Sequence, residues 1–233
     1  MKNLAIIPAR GGSKRIPQKN IKDFLGKPII AYSIELALDS GLFDEVMVST
    51  DDKEIAKAAQ KFGAIIPFMR SANNSDDYAT TVDVIKEVIL SYKSIGKIFD
   101  YSCCIYPTAP LIQQHHLKEG FKMLCDKKFD TVFSVVPFGY PVWRGLEIDK
   151  NNKIKIIWPE FLNSRSQDLK KVYHDAGQWY WINSSKNIET IFTENSGSII
   201  LSEEEVQDID NLSDWRMAEI KYQLYKKNNY EKI

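Results

Sequence analysis

Short apolar runs that do not alternate, each followed by a stretch of helical period, constrain this chain more than any other feature. Leu4–Pro8 opens the pattern with Leu-Ala-Ile-Ile-Pro, and Val46–Thr50 follows a helix predicted over Ile29–Ser40. A strand with one wet face alternates apolar and polar residues. A run that is apolar throughout needs cover on both faces, which helices on either side of a parallel sheet supply. The same pattern predicts a helix over Asp51–Phe62, with Ile55, Ala58, Ala59 and Phe62 on one face, and a strand at Ala64–Phe68. A helix at Thr81–Tyr92 follows, then strands at Ser102–Tyr106 and Thr131–Val136 on either side of a helix at Gln114–Asp126.

After Pro137 the rhythm changes. Tyr140–Pro159 reads as extended segments around the turn Asp149-Lys150-Asn151-Asn152, more hairpin than strand–helix unit. The first pattern resumes with a strand at Gln178–Ile182, a short helix near Asn187–Thr193, and a strand at Ser198–Leu201. A closing helix over Ser213–Lys226 is expected to be capped by Ser213-Asp214. The expectation is a three-layer α/β fold with a mostly parallel sheet. It forms one domain over residues 1–233, with an extended arm inserted at about 138–175.

Charge narrows the partners. The 233 residues carry 31 Lys and Arg against 31 Asp and Glu, so no net positive field draws in nucleic acid or an anionic membrane. No stretch approaches the roughly 20 apolar residues of a membrane span, and the apolar part of Met1–Arg10 is too short for a secretory core. The cysteines, Cys103, Cys104 and Cys125, are odd in number and form no C-x-x-C pair. The expected setting is a reducing cytoplasm, with no nucleic acid and no membrane among the partners.

The segment after the first strand, Ala9-Arg10-Gly11-Gly12-Ser13-Lys14-Arg15-Ile16-Pro17-Gln18-Lys19-Asn20, lies where α/β sheets hold ligands, past the carboxyl end of a strand. Two glycines let successive N–H groups converge on an anion. Arg10, Lys14, Arg15 and Lys19 supply the charge a triphosphate needs, and an arginine can grip two oxygens at once. A solvated basic loop with a glycine turn has the same composition. Neither a G-x-x-x-x-G-K-[ST] nor a G-x-G-x-x-G pattern is present, which disfavours a P-loop ATPase and a dinucleotide oxidoreductase.

The whole string, Ile6 through Lys14, then Lys19-Asn20 and Gly26-Lys27-Pro28, closely resembles the nucleotide-binding loop of the CMP-sialic acid synthetase (acylneuraminate cytidylyltransferase) family. The resemblance continues in order through Val48-Ser49-Thr50-Asp51-Asp52, Pro67-Phe68-Met69-Arg70, Ser75-Asp76, Ala79-Thr80-Thr81, Asp83-Val84-Ile85 and Val206-Gln207-Asp208-Ile209-Asp210. Cys104 through Pro110, Arg165 through Leu169 and Tyr173 through Trp181 look most like the pseudaminic acid branch. The sialic acid branch usually has Gln where Tyr106 stands and Asn-Gly where Ala176-Gly177 stands.

That resemblance implies a Rossmann-like nucleotidyltransferase fold and transfer of CMP from CTP to the anomeric hydroxyl of an acidic nine-carbon sugar, most similar to pseudaminic acid. Sialic or legionaminic acid is the neighbouring alternative, and a catalytically idle CTP-binding module a more distant one. It implies Arg10, Lys14, Lys19 and Asp210 as catalytic residues, and Ala9, Arg10, Gly11, Gly12, Ser13, Lys14, Lys19, Asn20, Arg70, Thr80 and Thr81 around CTP. Tyr106, Arg165, Gln167, His174, Asp175 and Gln178 fall on the acceptor side, with His174 either a base or a structural hydrogen-bonder. Asp208 and Asp210, two apart on an extended segment, project to one face. They match the family's carboxylate pair, which implies a Mg²⁺ site, although paired surface aspartates before a helix are common. The resemblance also implies that the arm reaches to a twin subunit in a homodimer. His115-His116 has no ligand spacing and reads as surface.

Overall fold

The computed structural model describes residues 1–230. In chain order the elements are β1 (Asn3–Pro8), the short pair β2 (Asp23–Phe24) and β3 (Lys27–Pro28), α1 (Ile29–Ser40), β4 (Glu45–Ser49), α2 (Lys53–Lys61) and α3 (Thr81–Ser94). Then come β5 (Tyr101–Ile105), α4 (Gln114–Lys127), β6 (Thr131–Pro137), the hairpin β7 (Leu146–Ile148) and β8 (Ile154–Ile156), β9 (Tyr173–Asn183), β10 (Ser196–Ile200) and α5 (Leu212–Tyr230).

The main sheet has the order β10-β6-β9-β5-β1-β4. β1 pairs in parallel with β4 and β5, and β10 with β6, while β9 runs antiparallel between β5 and β6. The mostly parallel sheet is as expected. The opposed direction of β9 was not foreseen, because a strand buried on both faces has the same composition whichever way it runs.

Leu4, Ala5, Ile6 and Ile7 of β1 are all fully buried, with Ala5 and Ile7 in one core and Leu4 and Ile6 in the other. The first core packs against Ile30 and Ile34 of α1, Ile55 and Ala59 of α2, and Leu117 and Leu124 of α4. The second packs against Val82, Ile85, Val88 and Tyr92 of α3. Trp179 and Trp181 of β9 are fully buried under α4. Each tryptophan removes about 150–250 Å² from water, roughly 4–6 kcal/mol at ~25 cal/mol per Å². The helix comes this close because residue 120 is glycine: a Cβ there would stand 2.6 Å from Cη2 of Trp179.

Three sequence expectations are corrected. Ala64–Phe68 is not a strand. Ile65 makes a single bridge to Met47, after which the chain turns away to deliver Arg70, whose N–H donates to the Thr50 carbonyl at 2.9 Å. Asn187–Thr193 is not a helix, although Ile188 and Ile191 are buried at helical spacing. Polar side chains take the backbone donors instead: Phe192 N–H goes to Thr190 Oγ1 and Thr193 N–H to Ser196 Oγ. The cap of α5 is Asn211 rather than Ser213. Asn211 Oδ1 accepts from the N–H groups of Ser213 and Asp214, and Asp214 Oδ2 takes the N–H of Asn211 in return.

Between β6 and β9 the chain forms the foreseen hairpin, with Asp149 Oδ1 accepting from the N–H groups of Asn151 and Lys153 across its turn. Trp143 packs edge to face on Trp158 and at a tilt on Phe161 beside it. Leu146, Ile148 and Ile154 stay exposed on one side of the hairpin, while Lys155 and Glu147 pair at 3.1 Å on the other.

Candidate active site

The loop after β1, the segment leading into α3 and the start of the turn after β5 enclose a cleft of about 620 Å³. A second cleft of about 460 Å³ lies against the end of β6 and the first half of β9. Tyr106 and Asp208 line both clefts. The second cleft exists because β9 is irregular: Phe133 pairs with Tyr180 but Val135 with Asp175, so the intervening residues of β9 loop out around Gly177 at φ +63°.

Of the loop residues expected around CTP, Arg10, Ser13, Lys14, Lys19 and Asn20 line the first cleft, as do Arg70, Thr80 and Thr81 from later segments. Ala9, Gly11 and Gly12 do not. Ala9 is buried with its N–H on the Ser49 carbonyl, and the Gly11 N–H is spent on Asp51 Oδ1 at 2.9 Å. Gly11 is required by close approach rather than by a positive φ, since a Cβ there would meet Asp52 Oδ2 at 2.8 Å. The N–H groups of Ala9 and Gly11 are therefore not turned to the cleft, which is lined by the side chains of this loop.

Those side chains are held in distinct ways. Lys19 donates to the Ile209 carbonyl at 2.7 Å, and burial lowers its pKa against the opposing pull of Asp210 and Asp208. Asn20 is buried and its Nδ2 donates to the Arg10 carbonyl at 2.9 Å, tying the loop to itself. Arg70 is buried, with Nε donating to Ser49 Oγ at 3.0 Å, and burial lowers its pKa. Thr80 caps α3 in a reciprocal box with Asp83. Arg10 and Lys14 both pair with Asp77, at 2.9 and 2.5 Å, so a carboxylate stands between the two cations. Sequence reasoning passed over Asp77, since an aspartate in a polar loop carries no signal of its partners.

Asp208 and Asp210 flank the buried Ile209 and both line the first cleft. Asp210 pairs with Arg15 at 2.7 Å, and its N–H is held by Asp214 Oδ2. Partial desolvation, then the charge of Asp210, raise the pKa of Asp208. The segment carrying this pair is anchored upstream. Glu205 Oε2 accepts from the Ser202 N–H and hydroxyl, and Oε1 from Gln113 Nε2 and from His116. His115, His116 and Glu205 cluster closely enough to suggest a cation, but the carboxylate's hydrogen bonds already join α4 to this turn.

Of the residues expected on an acceptor side, Tyr106, His174 and Asp175 line the second cleft. His174 Nδ1 lies 2.9 Å from the Asp175 carbonyl, an arrangement that fits a structural hydrogen bond. Gln178 is buried, with Nε2 donating to the Glu205 carbonyl, and lines neither cleft. Arg165 and Gln167 also line neither. They sit beyond the hairpin, where Arg165 forms a two-point pair with Asp168 at 2.7 and 3.2 Å. Tyr180, not singled out from the sequence, lines the second cleft. Among the described residues no helix is long and apolar enough to cross a membrane.

Known proteins match this chain along nearly its full length. The profile of the family described as cytidylyltransferase matches residues 4–232. Pseudaminic acid cytidylyltransferase of Campylobacter jejuni serotype O:2 is 46% identical over 226 residues, covering 96% of this chain and 97% of that protein. CMP-N,N'-diacetyllegionaminic acid synthase of Legionella pneumophila is 31% identical over 231 residues, covering 94% and 95%. Among solved structures, CMP:2-keto-3-deoxy-manno-octonic acid synthetase complexed with CTP superposes with a TM-score of 0.68 at 17% identity, over 97% of this chain and 100% of that one, a likeness of fold. The profile match from residue 4 to residue 232 shows that the chain belongs to the cytidylyltransferase family.

Proposed function

We propose that this protein transfers CMP from CTP to the anomeric hydroxyl of an acidic nine-carbon sugar, pseudaminic acid in preference to its relatives, and releases pyrophosphate. The observation that carries this reading is the meeting of two clefts at Tyr106 and Asp208, one lined with cations and the other without a comparable cluster. A nucleotide in the first and a sugar in the second bring the α-phosphorus and the attacking hydroxyl to the shared wall. The 46% identity to a pseudaminic acid cytidylyltransferase supports the choice of acceptor.

In this reading Arg10, Lys14 and Lys19 neutralise the triphosphate and the departing pyrophosphate. Ser13, Asn20, Arg70, Thr80 and Thr81 surround the nucleotide, and Tyr106, His174 and Asp175 face the sugar. The pair Asp208 and Asp210 suits Mg²⁺: two hard carboxylates sit beside a polyanion site, and their mutual repulsion contributes to the raised pKa of Asp208. When bound, the ion supplies positive charge to phosphate oxygens. Arg165 and Gln167 contribute to the acceptor site of a second copy, with the exposed apolar side of the hairpin at the homodimer contact.

The assay that tests the function measures pyrophosphate release with CTP, Mg²⁺ and a panel of pseudaminic, legionaminic and sialic acids. The expected kcat/KM for pseudaminic acid exceeds that for sialic acid about tenfold or more, the scale set by one or two pocket contacts. Equal or reversed preference reassigns the acceptor. CTP binding without turnover of any acid replaces the enzyme by an idle CTP-binding module.

Asp77 yields a second expectation. Its carboxylate holds Arg10 and Lys14 where phosphate oxygens would bind, so CTP must displace it. The cations also lower the Asp77 pKa, with the Lys14 hydrogen bond the largest cause, which keeps the carboxylate charged and competing. Asp77→Asn is expected to lower the KM for CTP roughly two- to fivefold, the modest scale of exposed ion pairs. A raised KM would make Asp77 part of the nucleotide's own seat.

A further inference from the structure

A line of side chains crosses the wall between the clefts and connects groups that the nucleotide and sugar readings leave separate. Tyr106 stands on that wall, and its hydroxyl shares a 2.9 Å hydrogen bond with Thr81 Oγ1 on the nucleotide side. On the other side its ring lies 5.3 Å, centroid to centroid, from that of Tyr180, and the two hydroxyls are within reach of each other. The Tyr180 hydroxyl donates to Asp175 Oδ2 at 2.5 Å. Asp175 is held in turn by the Gly177 N–H, which donates to Oδ1 at 3.0 Å. The irregular stretch of β9 that opens the acceptor cleft thus also aims this carboxylate at Tyr180.

The order of donors follows from the end of the line. A carboxylate only accepts, so the Tyr180 proton points at Asp175 and its lone pair is left for Tyr106. The Tyr106 proton is thereby drawn towards Tyr180, and Tyr106 offers lone pairs to Thr81 and to a group in the acceptor cleft. Burial raises the pKa of both phenols. Neither is then a standing base at neutral pH. Each can take a proton only while passing its own along, and the carboxylate is the member able to keep it.

We infer that Tyr106, Tyr180 and Asp175 form the proton outlet for the attacking hydroxyl of the acceptor. The inference rests on the proposed transfer of CMP between the two clefts. As the hydroxyl oxygen bonds to the α-phosphorus, the bond from that phosphorus to the bridging oxygen breaks and pyrophosphate leaves with the electron pair. The hydroxyl proton passes to the Tyr106 oxygen, the Tyr106 proton to Tyr180, and the Tyr180 proton to Asp175. Tyr106 touches the acceptor. Tyr180 acts through Tyr106 and is a positioning residue.

The test compares wild type, Tyr180→Phe, Asp175→Asn and the double variant in the pyrophosphate-release assay, with melting temperatures measured alongside. Tyr180→Phe keeps the buried ring and removes only the link. Its kcat is expected to fall on the order of a hundredfold, with both KM values within about twofold of wild type. The double variant is expected to be no slower than the slower single one, because the residues are links in one path. Should Tyr180→Phe fail to fold, Tyr106→Phe gives the same kcat readout from the cleft wall. Wild-type kcat in a folded variant, a loss confined to KM, or losses that multiply in the double variant would overturn the outlet alone. Wild type that turns over no acid would overturn the functional reading, and the outlet with it.

Discussion

Replacing Asp208 or Asp210 by asparagine is expected to slow turnover roughly a hundredfold while leaving the fold in place. The substitution is nearly isosteric, and neither carboxylate belongs to a packed core, since Ile209 between them fills that role. What is lost is a hard anionic ligand facing the triphosphate, worth about 3 kcal/mol in the transition state if it holds Mg²⁺ there. The loss should appear in kcat and as a higher Mg²⁺ concentration for half-maximal rate. The two variants should differ in one respect. Asp210→Asn also weakens the 2.7 Å pair with Arg15, whereas Asp208→Asn removes the carboxylate whose pKa is raised. Relief of that repulsion leaves Asp208→Asn as stable as wild type or slightly more so. A fallen melting temperature with undiminished specific activity in the folded fraction would make the pair structural. Full activity with an unchanged Mg²⁺ requirement would place the metal elsewhere.

The second large effect concerns the hairpin. Ile148 and Ile154 are direct partners across β7 and β8, and both are exposed in the single chain. Ile148→Glu with Ile154→Lys removes the apolar face but leaves opposite charges opposite each other, so the hairpin keeps its register. Light scattering is expected to show a dimer for wild type and a monomer for the variant. If Arg165 and Gln167 serve the other copy's acceptor cleft, the monomer loses a charge-assisted grip on the sugar carboxylate. Its sugar KM should then rise about tenfold or more, with the CTP KM held within about twofold. A variant that remains dimeric moves the interface off the hairpin. A monomer with an unchanged sugar KM removes Arg165 and Gln167 from the acceptor site.

The sheet was largely legible because unbroken apolar runs such as Leu4–Ile7 signal burial on two faces, and β1 is buried on both. Two of the failures share a cause, which is that polar side chains compete for backbone donors in ways that periodicity ignores. The buried pair Ile188 and Ile191 mimics a helix, while Thr190 and Ser196 hold the backbone open. The cap of α5 moved to Asn211 because Asp214 answers it three residues on, a reciprocity visible only once the turn is formed.

At the site, a string of cations could be read from the loop after β1, but their partner Asp77 could not, being more than sixty residues away in sequence. Of the two glycines, the structure gives Gly11 a role that the motif does not show. Gly11 makes room for Asp52 rather than offering its N–H to a ligand. The resemblance put Gln178 on the acceptor side, yet its amide ties β9 to Glu205. A motif specifies which residues travel together in sequence, not which way each side chain faces.

The wall shared by the two clefts has a consequence for how such a protein changes over time. Apart from Asp208 and Asp210, the first cleft draws on residues no later than Thr108, and apart from Tyr106 the second draws on none before Val136. The two tasks are therefore written in different stretches of chain. In the proposed reading, substitutions around the β9 irregularity retune the accepted sugar without touching the cations of the first cleft. Only Tyr106 and Asp208 answer to both demands. A lineage exploring new acids has a broad field to vary and two positions at which every change is felt twice.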